Sequence, residues 1–221
     1  ERRDLVGAQE LSGVLGTAGG KLEEDILGLE LEQIGGVRAA LRKWCCHAET
    51  RVTFEDRSPP AGRERAVETV NEPFAVPGEC PTRVTHPGTE IVLAYSSTPI
   101  YGMYNRGLAL AVTDIGKAVL DERHALRYRR ISAKITSRYL EHTLSRETVI
   151  RDANYDRAIA LLDAAADGPL LDALVAELSA LVSRPRWELQ DVARYATLLG
   201  FLSFEPASSL ERIRKEPLLR D

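Results

Sequence analysis

The chain has 221 residues, of which 44% are hydrophobic and 28% are charged, and its formal net charge is −4. This is an ordinary globular profile, and the mild negative charge disfavours nucleic acid as a partner because neutralising phosphates requires a concentrated basic face. Three cysteines cannot build a disulfide framework. This use of cysteine predicts a reducing cytoplasm. No signal peptide and no run of about 18 apolar residues occurs, so we expect no membrane partner.

The first part of the chain is rich in glycine, and it opens at Glu1 without an initiator methionine. Residues 1–25 are therefore predicted to be a linker or the remnant of a preceding domain. Apolar residues then recur at helical spacing from Leu27 to Cys45, which predicts a helix weakened by two adjacent glycines near its middle. His47, beside two cysteines, is expected to be a surface imidazole because consecutive helical side chains diverge by about 100°.

Strand patterns follow. Alternation over 50–55 predicts a short strand, and the prolines between 59 and 87 predict a long irregular connection with room for an edge strand at 66–70. Two apolar strands at 90–95 and 101–112 are separated by a linker short enough for a hairpin. A turn of helix over 114–120 leads to a strand over 127–136, in which alternating apolar residues predict one packed and one wet face.

The rest of the chain is predicted to be helical. Ser145 can cap a helix that starts beside it, with Glu147 in the first turn. Three apolar stripes at helical spacing follow, and their limits are Gly168-Pro169, Pro185 and Gly200. Ser208 and Glu211 have capping-box spacing for a last short helix. The order predicts an α/β fold, with an α/β sandwich layer over 26–145 followed by a small helical subdomain over 146–221.

Three segments resemble the middle domain of the heat shock protein 90 chaperone family, and together they cover about residues 90–213. The exit from the predicted strand is similar to the family's Ser-x-x-Leu-Pro-Leu-Asn-x-Ser-Arg-Glu stretch; Ser137, Leu140 and Ser145-Arg146-Glu147 match, whereas Glu141, His142 and Thr143 replace Pro, Leu and Asn. Residues 103–110 resemble its Leu-Tyr-Val-Arg-Arg-Val-Phe-Ile strand. Residues 192–199 resemble its Leu-Ala-Lys-Leu-Leu-Arg segment.

The resemblance implies an ATP-dependent chaperone-like protein in which this region couples an upstream ATPase domain to client protein binding. ATP and Mg would be bound only by that preceding domain, and a homodimer would be compatible with the full-length protein. The family's middle domain supplies a basic residue to the γ-phosphate, but the corresponding loop, 96–100, has none here. Arg106 and Arg146 are therefore the candidate residues for the γ-phosphate contact.

Two other functions remain open. The chain could be a stand-alone interaction scaffold without nucleotide chemistry, or the transducer domain of a DNA-acting ATPase of the same superfamily, which a basic groove would favour. Two histidines are expected to be exposed imidazoles. Three aspartates are expected to be solvated carboxylates at the ends of helices. These residues are His124, His142, Asp163, Asp167 and Asp172. A basic cluster, consisting of Arg123, His124, Arg127, Arg129 and Arg130, is either a solvated strand edge or an anion site.

Overall fold

The computed structural model describes residues 36–55, 67–143 and 148–214. The predicted linker over 1–25 and the candidate Arg146 lie outside these ranges. The helices are α1 (described over 36–45), α2 (Gly116–Val119), α3 (Glu122–Arg127), α4 (Ala153–Ala165), α5 (Leu171–Val182), α6 (Leu189–Leu202) and α7 (Ala207–Ile213). The strands are β1 (Thr53–Glu55), β2 (Val67–Thr69), β3 (Glu79–His86), β4 (Thr89–Tyr95), β5 (Tyr101–Asn105), β6 (Leu108–Thr113) and β7 (Ile131–Ser137).

Five strands form a mixed sheet in the order β3-β4-β7-β5-β6, which together with the helices confirms the α/β class. β7 lies at the centre, antiparallel to β4 and parallel to β5. The predicted hairpin between 90–95 and 101–112 is therefore wrong, because β7 inserts between the two strands. Central strands must pair on both edges, and the sequence pattern of a strand does not say which neighbour it pairs with.

The predicted strand over 101–112 is two strands joined by a tight turn. Arg106 and Gly107 form the turn, with φ angles of 48° and 77°. Two positive φ angles are the requirement of a type I′ hairpin turn, whose twist matches that of the flanking strands. The turn was missed because Arg-Gly lacks the asparagine or aspartate that usually marks its first position.

The proline-rich region also contains a strand that the sequence did not predict. β3 forms one edge of the sheet, and its pairing with β4 is shifted between Glu79 and Thr82. Pro81 lies within this irregularity, where its missing N–H costs no regular ladder hydrogen bond. The edge strand predicted at 66–70 is present as β2, which pairs with β1 in a separate two-stranded sheet.

Helices cover one face of the central sheet, and a single cluster of buried side chains joins the two layers. Ile91 and Ile135 of the sheet share this core with Leu162, Leu174 and Leu198 of the helices. The prediction that the first long helix stops at Gly168-Pro169 is wrong. A π-helical turn over Ala166–Leu170 accommodates the proline, and the chain continues directly into α5.

The start of α4 also differs from the prediction. Ser145 lies outside the described residues, and α4 begins only at Ala153, where the Asp152 carboxylate accepts hydrogen bonds from the backbone N–H groups of Asn154 and Tyr155. α6 runs through Gly200 to Leu202, and α7 begins at Ala207, so Gly200 and Ser208 are not helix ends. Within the described ranges, no helix has the length and apolar character needed to span a membrane.

The second face of the sheet is not the wet face that alternation in β7 predicted. Ser132 is fully buried, and Lys134 and Thr136 are half-buried. Contacts from the residues after α1 cover this face: the Lys134 ammonium lies 2.9 Å from the His47 imidazole. The alternation in β7 therefore separates an apolar face from a polar face, and both are covered.

Candidate functional site

The predicted site residue Arg106 lies in a polar cleft at one end of the sheet. Four parts of the sheet meet there: the end of β3, the start of β4, the end of β7 and the β5–β6 turn. The cleft has a volume of about 430 Å³. It is lined by Glu49, Thr85, His86, Gly88, Thr89, Glu90, Arg106, Thr136, Ser137 and Arg138. We call this group of residues the arginine cleft.

The backbone around Arg106 is fixed on two sides. Its carbonyl accepts a hydrogen bond from the Glu49 N–H at 3.4 Å, and the next N–H, that of Gly107, donates to the Thr136 hydroxyl at 3.0 Å. The guanidinium is exposed and forms no ion pair with any residue in the described part of the chain. The positive charge on this anchored turn is therefore accessible to an anion.

Arg138 is a second arginine in the cleft, and it was not among the residues predicted from the sequence. Its guanidinium lies over the Tyr139 ring, 4.9 Å from the centroid, and donates to the Tyr139 hydroxyl at 2.6 Å. Gly88, with a φ of 74°, leaves room for this side chain, since an added Cβ would lie 2.6 Å from Arg138 Nε. A single arginine after a strand carries no distinctive spacing, so only the fold reveals that it shares a cleft with Arg106.

The remaining charges of the cleft are two carboxylates. Glu90 forms an ion pair with Arg83 of β3, whereas the Glu49 carboxylate forms no ion pair within the described part of the chain. The hydroxyl groups of Thr89 and Ser137 also line the cleft; both residues are buried, and the two oxygens lie 2.8 Å from each other. With Glu90 compensated by Arg83, two guanidinium groups and one uncompensated carboxylate remain among the described residues of the cleft. This excess of positive charge favours binding of an anion.

The loop that resembles the family's basic loop lies elsewhere. Residues 96–100 precede β5, and Arg106 follows it, so the two are separated by the length of a five-residue strand, roughly 16 Å. At the loop itself, Arg130 Nη1 donates to the Ser97 carbonyl at 3.2 Å. Any phosphate contact by Arg106 would therefore come from the other end of the strand.

Replacing Arg106 by Asn is expected to raise the free energy of unfolding by about 0.5–1 kcal/mol, because Asn adopts a positive φ at a lower cost than Arg. Arg106→Ala removes the same charge without that backbone preference, so it serves as the control and should give no such gain. Urea denaturation of the two variants measures the difference. Equal midpoints would show that the backbone at this turn is not strained by the arginine.

Most cations of the predicted basic cluster contact side chains of the helical layer. Arg127 pairs with Asp163 at 2.9 Å and with Asp167, and Arg129 and Arg130 lie over the Phe204 ring. The cluster is therefore neither a simple solvated edge nor a free anion site, because most of its cations bind side chains of the helical layer.

Asp163 and His124 are not the solvated groups that the sequence predicted. The Asp163 carboxylate accepts hydrogen bonds from Tyr128 and Arg127, and it lies 3.3 Å from the second nitrogen of His124, whose first nitrogen contacts Asp121 at 2.6 Å. Burial, reinforced by this carboxylate, raises the pKa of Tyr128. The cluster joins α3 to α4, so we assign it a structural role.

His47 is likewise half-buried rather than on the surface. Its ring packs edge-on against Phe74 and Tyr104, with centroids 5.2 Å away in both cases. Nδ1 donates to the Glu72 carbonyl at 3.1 Å, so Nε2 is left to accept from the Lys134 ammonium at 2.9 Å. Burial lowers the pKa of His47 and also that of Lys134.

Stability is expected to fall as the pH drops below 6.5, the ordinary pKa of histidine. The folded state lowers the pKa of His47, so the unfolded chain binds the proton first as the pH falls and is stabilised relative to the folded state over that range. Protonation would also place a second cation beside Lys134. Urea denaturation on both sides of that pH should show a smaller difference for His47→Gln, and an unchanged difference would contradict the assignment.

Two apolar surfaces are also exposed. A groove of about 720 Å³ lies beside the edge strand β6, and Trp44, Leu108 and Leu140 are among its lining residues. On α6, Leu189, Val192, Ala196 and Leu199 form one exposed helical stripe, with Leu189 87% exposed. We call these four residues the α6 stripe. Contiguous exposed apolar surface is typical of protein interaction sites.

Comparison of the sequence with models of known protein families and with curated proteins finds no match.

Proposed function

We propose that this chain is the middle region of an ATP-dependent, chaperone-like protein of the heat shock protein 90 type, and that it couples an upstream ATPase domain to client protein binding. In this proposal the preceding domain binds ATP and Mg, and the full-length protein is cytoplasmic and compatible with a homodimer. The observation that carries the proposal is the exposed Arg106 guanidinium, which has no carboxylate partner in the described chain and stands on an anchored turn.

Phosphoryl transfer needs positive charge where negative charge develops in the transition state. A guanidinium that is already held in place can supply this charge without reorganising at the moment of reaction. The backbone of Arg106 is anchored, which limits the region that its guanidinium can reach, and Arg146 remains the second candidate. The contact would be made from the end of β5 that lies opposite loop 96–100, so the upstream domain would have to approach the arginine cleft.

Client binding is supported by the exposed apolar surfaces. The α6 stripe presents four apolar residues along three turns of helix, and the groove beside β6 adds a second apolar site at a sheet edge. Neither surface lies within the arginine cleft. A protein with this arrangement would engage nucleotide and client through separate sites around one hydrophobic core.

The stand-alone scaffold is a second candidate function, and the α6 stripe favours it as well because partner binding there requires no nucleotide. The transducer of a DNA-acting ATPase is less well supported. That hypothesis calls for a basic groove, whereas Arg127 of the basic cluster pairs with Asp163 and Asp167.

Measuring ATP turnover of the full-length protein with and without the region 36–214 tests the proposal. If this region completes the ATPase site, its deletion should abolish most turnover while the upstream domain still binds nucleotide. Unchanged turnover would reject the coupling function and leave the scaffold as the better hypothesis.

A further inference from the structure

We propose that the arginine cleft is a binding site for a phosphate-type anion, in which Arg138 and Arg106 contact the anion together. The inference deepens the proposed function, and it rests on that function only in identifying the anion with the terminal phosphate of a nucleotide. Anion binding itself follows from the chemistry of the cleft and can be tested on this chain alone.

The charges of the cleft favour an anion over a cation. Glu90 is engaged by Arg83, so its carboxylate is compensated within the protein. Among the described residues that line the cleft, the only uncompensated carboxylate facing Arg106 and Arg138 is that of Glu49. An anion in the cleft would be attracted by two guanidinium groups and repelled by one carboxylate, so removing Glu49's charge should improve binding.

The guanidinium of Arg138 is held in position before any ligand arrives. Stacking on Tyr139 and the hydrogen bond to its hydroxyl leave the other N–H groups of the planar fork free to donate. The backbone N–H of Arg138 also donates to the Gly88 carbonyl at 3.1 Å, which ties the end of β7 to the β3–β4 turn. Phosphate oxygens match such a fork geometrically, because arginine can bind them through two parallel hydrogen bonds.

The two arginines come from different parts of the sheet. Arg106 is on the β5–β6 turn, and Arg138 follows β7, the strand that pairs with both β4 and β5. Because Gly107 is bonded to Thr136 of that same strand, the turn carrying Arg106 is anchored to β7 just before Arg138. The backbone positions of the two arginines are therefore set by the sheet rather than by a flexible loop.

Titration of the isolated 221-residue chain with inorganic phosphate, followed by ¹H–¹⁵N NMR, tests the proposal. Saturable shifts are expected for the amides of Gly88, Gly107 and Arg138. Arg138→Ala and Arg106→Ala should each weaken phosphate binding about tenfold, as loss of a charge-assisted hydrogen bond implies. Arg138→Lys should fall between, because it keeps the charge but loses the fork.

Two further variants test whether the charges of the cleft itself determine phosphate binding. Glu49→Gln should tighten phosphate binding, and Arg157→Ala, at an exposed position of α4 outside the cleft, should leave it unchanged. Absence of saturable shifts at millimolar phosphate would overturn the proposal, as would equal losses in the Arg138 and Arg157 variants.

The same variants separate this inference from the proposed function. If phosphate binding follows the expected pattern but Arg106→Ala leaves ATP turnover of the full-length protein unchanged, the anion site stands and the ATPase role fails. If turnover falls but the isolated chain binds no phosphate, the two-arginine site is overturned while the coupling function stands.

Discussion

Replacing Arg106 by Ala in the full-length protein is expected to slow ATP hydrolysis by about 10³-fold, the lower end of the effect known for arginine fingers. The guanidinium would act mainly on charge that develops during phosphoryl transfer. Its loss should therefore lower the turnover number far more than the affinity for ATP. Steady-state turnover and calorimetric measurement of nucleotide binding separate the two effects.

Arg157→Ala is the matched control, because it removes an exposed arginine on α4 and should keep the parental turnover. Arg146→Ala tests the second candidate. The isolated chain should show no micromolar ATP binding, since its sequence has no adenine-reading motif. Parental turnover in both the Arg106 and the Arg146 variants would show that this region does not assist hydrolysis and would favour the scaffold. Micromolar ATP binding by the isolated chain would contradict the assignment of the nucleotide to a preceding domain.

Side-chain periodicity predicted the strands and helices that bury a regular apolar face. The alternation of Ile131, Ala133 and Ile135 located β7, and the stripe through Leu174 and Leu178 located α5. These residues are buried in the common core, so their spacing in the sequence directly reports the geometry of the element. The spacing of apolar residues along the chain was sufficient to predict the α/β class.

The order of the strands could not be predicted in the same way. β4 and β7 are both apolar and both central, and their sequences do not record that seven residues of each are paired. The short linker between them suggested a hairpin of β4 with β5. The long connection through β6, α2 and α3 instead returns β7 to the gap between them. Contacts of such long range depend on the packing of the whole sheet.

Polar residues gave the least reliable predictions. Asp163 and His47 are charged or titratable, and in sequence each resembles a surface group. Asp163 is partly buried against Tyr128 and Arg127, and His47 against Lys134, all of which are distant along the chain. The arginine cleft shows the same limit of prediction from sequence. Arg106 was a candidate only through the resemblance, and Arg138 was not a candidate at all.

Replacing Gly107 by Ala is expected to give the largest loss of stability among the single substitutions considered. Gly107 adopts a φ of 77°, a conformation that costs an L-residue with a Cβ roughly 1–2 kcal/mol. An added Cβ would also overlap the backbone carbonyl of His47 and lie 3.0 Å from the Cα of Ala48. Both neighbours are backbone atoms, so the overlap cannot be relieved by rotating a side chain.

The free energy of unfolding should therefore fall by more than about 2 kcal/mol in Gly107→Ala. Gly200→Ala is the matched control, because its added Cβ meets nothing within 4 Å and lies in a helix, where Ala is favoured by about 0.5–1 kcal/mol. Urea denaturation should thus move the two midpoints in opposite directions. A Gly107→Ala curve that overlays the parental one would show that the β5–β6 turn does not rest against residues 47–48. Since Arg106 is the neighbouring residue of that turn, such a result would also remove the anchored position on which its proposed contact with phosphate depends.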